Sequence, residues 1–134
     1  MKEELQKKAL QITALDSRLQ ELKQHLELLE KQINELQATL MALDEIKKTE
    51  LESEMLAPIS PGVFVKASFK ENKDIIINIG AKIFCKKNVE EAKKFIQQKL
   101  DKSLDVYNKI AIETNFIIEN LASLEKEFRK LQEK

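Results

Sequence analysis

Both prolines and both glycines of this 134-residue chain lie between Pro58 and Gly80. On either side, residues 1 to about 50 and 81 to 134 contain no helix breaker. The chain is therefore laid out as two long uninterrupted helices around a short segment that can turn. The first flank carries a heptad. Leu5, Ile12, Leu19, Leu26, Ile33 and Leu40 recur at every seventh position, and Leu15, Leu22, Leu29, Leu36 and Leu43 form a second series three residues behind. This alternating spacing is the a/d seam of a left-handed coiled coil, narrower than the stripe of a helix in a globular core. The seam degrades at its ends: Lys8 takes a d position, and Lys47 and Glu50 stand where a and d should continue.

The second flank repeats the theme. Leu100, Tyr107, Thr114, Leu121 and Phe128 form one series; Ile96, Ser103, Ile110, Ile117, Leu124 and Leu131 form the other. Val106, Ile112, Phe116 and Ile118 are expected to flank this seam. Asn88, followed three residues on by Glu91, is a capping signature for the start of the helix. Each helix should span roughly 40–45 residues, about 60–70 Å at the usual rise. Helices of equal length joined by a compact insert fold back as an antiparallel hairpin with both termini together at the tip. The expected segments are a helix over 1–50, a β insert over 51–87 and a helix over 88–134, forming one elongated, mainly α domain.

The insert reads as strands. Residues 63–69 are β-branched and aromatic, residues 70–74 have turn composition, and Ile75-Ile76-Ile77-Asn78-Ile79 follows. After Gly80, residues 81–85 are expected to form a further short strand, and Met55-Leu56-Ala57 is a candidate fourth. Two linked hairpins of this size are not stable alone in water. Their edges and apolar face must be covered, most simply by other chains. An obligate oligomer assembled through the insert follows, with Val63, Phe64, Val65, Phe69, Ile75, Ile76, Ile77, Ile79, Ile83 and Phe84 as the assembly residues.

Composition removes several function classes. Lysine and arginine number 23 against 23 aspartate and glutamate, so no general pull on nucleic acid or an anionic membrane is expected. No apolar run approaches the ~18 residues of a membrane span. Met1-Lys2-Glu3-Glu4 leads into no apolar h-region, and a cytoplasmic setting is the expectation. The single cysteine excludes a disulfide framework or a Cys-based zinc site within one chain. His25 lies off the seam and has no second histidine with which to share a metal. Cys85 reads as a buried or half-buried structural thiol; a thiol activated by the adjacent lysines is the alternative. The phosphate-loop, dinucleotide, nucleophile-elbow and zinc-protease motifs are absent. A thin coiled coil offers no convergent pocket, so neither an enzyme nor a metal or cofactor is expected.

The insert carries a family resemblance. Leu56-Ala57-Pro58-Ile59-Ser60-Pro61-Gly62-Val63-Phe64-Val65-Lys66-Ala67, then Ile79-Gly80-Ala81, then Val89-Glu90-Glu91-Ala92 opening a helix, resembles the alpha-type subunit of prefoldin. Leu56, Pro58, Gly62, Phe64, Val65, Lys66 and Ala67 match the family's usual stretch; Ser60-Pro61 and Val63 depart from it. The resemblance implies an ATP-independent holdase. In the family, two alpha-type and four beta-type subunits join through a β-barrel platform. Their coiled-coil tips hold non-native polypeptide and pass it to a group II chaperonin. Alpha-type subunits carry two hairpins, which suits this insert.

On this reading the client-holding residues at the tip are Leu5, Ala9, Leu10 and Ile12 of the first helix and Leu124, Phe128 and Leu131 of the second. Frayed or splayed ends turn seam residues toward water, where they can hold apolar segments, and several tips acting together supply avidity. Lys8 in the seam suits an end that opens. Ordinary coiled-coil core is the competing reading of the same residues. Two alternatives stand beside the hexamer: a structural coiled-coil scaffold, and a homo-oligomer or filament of alpha-like chains without beta partners.

Overall fold

The computed structural model describes residues 2–133; Met1 and Lys134, the first and last positions of the expected helical segments, lie outside the described residues. The elements are α1 (Lys2–Lys48), β1 (Met55–Ser60), β2 (Val63–Ala67), β3 (Asp74–Gly80), β4 (Ile83–Asn88) and α2 (Val89–Gln132). The chain divides into two compact units, residues up to Asn34 with those from Asp101 onward, and Glu35–Leu100.

In the first unit α1 and α2 run antiparallel. Leu19, Leu22, Ile117 and Leu121 form a buried cluster, with Ile12, Leu15 and Ile110 packed against it. These are heptad a and d positions, so the seam read from the sequence is the seam that forms. Thr114 is buried within it. Its hydroxyl donates to the Ile110 carbonyl at 2.7 Å, which satisfies the polar group inside its own helix. Arg18 pairs with Glu113 at 3.0 Å and Lys8 with Glu127 at 2.6 Å. Two of the expected flanking residues stand away from the seam instead: Ile112 and Phe116 are 71% and 61% exposed. Ile112 lies five residues after Tyr107, at the f position, which faces outward whatever its polarity.

In the second unit Leu43, Val89, Ala92 and Ile96 are buried together, with Leu36, Leu40, Ile46, Phe95, Ile75 and Ile77 packed on them. Ion pairs Lys47–Glu90 and Asp44–Lys93 cross between the helices here. The insert forms two separate two-stranded antiparallel sheets, β1–β2 and β3–β4. No barrel closes among the described residues. Each ladder carries a register shift just before its turn, between Pro58 and Ser60 and between Asn78 and Gly80. The extra residues, Ile59 and Ile79, are single-residue bulges.

The turns differ. Pro61-Gly62 has proline first and glycine at φ 80° second, the chemistry of a type II turn. The second turn places Ala81 and Lys82 at φ 49° and 60°, the left-handed pair of a type I′ turn that normally takes Asn-Gly. This corrects the expected strand over 81–85: Ala81 and Lys82 are the turn, and β4 runs on to Asn88. Lys86 and Lys87 continue the strand, opposite Ile76 and Ile75 in an open two-stranded ladder. Asn88 closes the strand and caps α2. Its Oδ1 accepts from the Glu91 amide at 2.8 Å and its Nδ2 donates to Glu91 Oε1 at 3.0 Å.

Candidate functional site

Alternation along β3 puts Ile75 and Ile77 on the helical cluster and Ile76 on the other face. On that other face Ile76 and Phe84 are 75% and 63% exposed. Cys85, opposite Ile77, is half-buried on the inner face. The first hairpin is more open: Met55, Ala57 and Ala67 are half-buried on one face, and its other side chains are exposed. Phe64 is 56% exposed, and Val63 and Val65, on the alternate face, are exposed too. Of the assembly residues named from the sequence, Ile79 and Ile83 are also exposed, while Phe69, Ile75 and Ile77 are half-buried. Leu56 and Ile59 add two exposed apolar side chains that sequence reasoning did not count among the assembly residues. The signal was available in the apolar run that precedes Pro58-Ile59. Together these residues form an exposed apolar surface with free strand edges, a kind of surface that partner chains commonly cover.

The chain-end residues lie in the first unit. Leu5, Ala9, Ile12, Leu124, Phe128 and Leu131 are half-buried, whereas Leu10 is 71% exposed, off the seam. Lys8 occupies its seam position by turning its ammonium to Glu127. Glu4, Lys8, Glu127, Lys130 and Leu131 line one open cleft beside it. The Lys8 hydrogen bond holds the Glu127 carboxyl below the usual carboxylate range. In the same way Lys93 lowers Asp44, Lys47 lowers Glu90, and Glu113 raises Arg18. These groups form exposed ion pairs between the two helices, each of small individual weight. Among the described residues no cluster of His, Cys, Asp and Glu has the makings of a metal site, and no helix is long and apolar enough to cross a membrane. His25 is exposed.

A family model described as Prefoldin subunit matches residues 15–134. The chain is 26% identical to prefoldin subunit alpha of Thermofilum pendens over 110 residues, which is 82% of this chain and 85% of that protein. It is 35% identical to prefoldin subunit alpha of Thermococcus onnurineus over 91 residues, 67% of this chain and 62% of the other. It is 33% identical to the Pyrococcus horikoshii protein of the same name over 98 residues, 72% of this chain and 66% of the other. The match thus spans slightly less than two thirds of the length of these last two relatives. Among solved structures, a chain of filamentous PFD from Methanocaldococcus jannaschii superposes with a TM-score of 0.75 at 19% identity, covering 87% of this chain and 96% of that one. That likeness bears on the fold. With the heptad flanks, the paired hairpins and the matched insert, the chain belongs to the prefoldin subunit family.

Proposed function

We propose that this chain is the alpha-type subunit of an ATP-independent holdase. It assembles with beta-type subunits, two alpha with four beta, through its hairpins. The assembly holds non-native polypeptide at the helix ends and passes it to a group II chaperonin in the cytoplasm. The observation that carries this reading is the exposed apolar surface of both hairpins, above all Phe64, Ile76 and Phe84. Such a surface needs a protein partner. The relatives named prefoldin subunit alpha support the alpha-type assignment. Client holding falls to Leu5, Ala9, Ile12, Leu124, Phe128 and Leu131, half-buried at the end where Lys8 interrupts the seam, and to the exposed Leu10.

Light scattering of the chain alone and mixed with a beta-type subunit tests assembly. A discrete species of two plus four is expected. A stable assembly that ignores the beta-type chain favours the homo-oligomer or filament instead. Client holding is tested by suppression of aggregation of an unfolded protein without nucleotide. No suppression at several-fold excess of the assembled complex leaves the structural scaffold as the reading.

A further inference from the structure

The crossover between the hairpins returns to the C-terminal end of α1. There the Asn72 side chain donates from Nδ2 to two carbonyls, Thr49 O at 3.0 Å and Ile46 O at 3.4 Å. The carbonyls at a helix C-terminus lack the amides of a following turn. The Thr49 amide reaches back to Ile46 O at 3.3 Å, so one carbonyl gathers both donors. Two backbone bonds bracket Asn72. The Glu52 amide donates to Phe69 O at 3.0 Å, and the Val89 amide donates to Lys73 O at 3.1 Å. The segment from Phe69 to Lys73 is thereby stitched to the exit of α1 and to the entry of α2. It also joins the end of the first hairpin to the start of the second.

We propose that Asn72 is a positioning residue for assembly. Its bridge to α1 sets the directions in which both hairpins present their apolar faces, so its loss weakens association more than it weakens the helices. This rests on the reading of the hairpins as the assembly surface. The chemistry calls for an amide donor. Both N–H bonds of Nδ2 are used at once on half-buried partners. A carboxylate of the same shape turns lone pairs toward those carbonyls, and a methyl group leaves them without the side-chain donor.

The test compares Asn72→Ala, Asn72→Asp and Asn72→Gln in the full chain, each mixed with beta-type subunits. Sedimentation gives the concentration at which the assembly half-dissociates, and circular dichroism follows helix melting. Asn72→Ala and Asn72→Asp are expected to raise that concentration by about tenfold or more while helix content stays at the wild-type level. Asn72→Gln, which keeps the donor, is expected to recover most of the loss. Wild-type midpoints for folded Asn72→Ala and Asn72→Asp overturn the proposal. So does a lowered helix melting temperature with unchanged assembly, the mark of a purely local cap. If Asn72→Ala loses its helices, the Asn72→Asp and Asn72→Gln pair decides, and equal midpoints overturn it. A wild-type chain that assembles neither alone nor with beta-type subunits overturns the hairpin reading itself, and with it this inference.

Discussion

The β1–β2 and β3–β4 hairpins have the same plan: two short antiparallel strands, one bulge before the turn, and a two-residue turn. They differ in what lies against them. Ile75 and Ile77 of the second press on Leu43, Val89, Ala92 and Ile96. The first is covered less: Met55, Ala57 and Ala67 are half-buried, while Val63, Phe64 and Val65 are all exposed. An isolated two-stranded hairpin is marginal in water. The second hairpin therefore draws half of its support from its own chain. The first has less support from its own chain, and on the proposed function a partner supplies the rest.

The largest expected effect lies beneath the docked hairpin. Leu43→Ala should cost about 2–4 kcal/mol in chemical denaturation of the chain, because it empties a buried site. It should also release β3–β4 and leave β1–β2 as it was. A loss of both hairpins together would break the contrast between them. Ile77→Ala, at a half-buried position, should cost about 1–2 kcal/mol. Val65→Ala should leave the stability of the isolated chain within about 0.5 kcal/mol and raise the dissociation constant of the assembly. Equal effects of the two on the isolated chain would mean that the first hairpin has internal support.

The turns sharpen the contrast on a smaller scale. Replacing Ala81-Lys82 by Asn-Gly should stabilise the second hairpin by about 1 kcal/mol, since neither native residue favours a positive φ. Gly62→Ala should destabilise the first by about the same amount, although nothing within 4 Å would meet the added methyl. Thermal melting of the assembled protein reads both. The smallest effect is that of pH. Asp44, Glu90 and Glu127 have lowered folded-state values. On acidification the unfolded chain takes up these protons first. The stabilisation is thus present above the ordinary carboxylate range and lost as pH falls through about 4 and below. Melting temperature measured from pH 7 to 3 should fall in that window. A melting temperature that stayed flat across it would show that the three pairs contribute nothing measurable.

The helices and their seam were legible because a three-four heptad uninterrupted by Gly or Pro has one structural solution. The N-cap at Asn88 was legible for the same local reason. The end of β4 was not. Lys86 and Lys87 look like a strand terminus, yet an open hairpin leaves room for lysine beside isoleucine. Leu10 belongs to an apolar stretch but falls at an f position, so seam neighbours in sequence are not neighbours in space. The difference between the hairpins depends on packing against residues of both helices, and the bridge from Asn72 to Ile46 and Thr49 joins residues 26 and 23 apart in sequence. A five-residue stretch of turn composition carries no trace of such contacts.

Amide hydrogen exchange across Met55–Ala67, in the chain alone and mixed with beta-type subunits, tests most directly whether the first hairpin is completed by a partner. Slow exchange that appears only on mixing, with Asp74–Asn88 partly protected throughout, is the predicted result. Equal protection of Met55–Ala67 with and without the partner would contradict it.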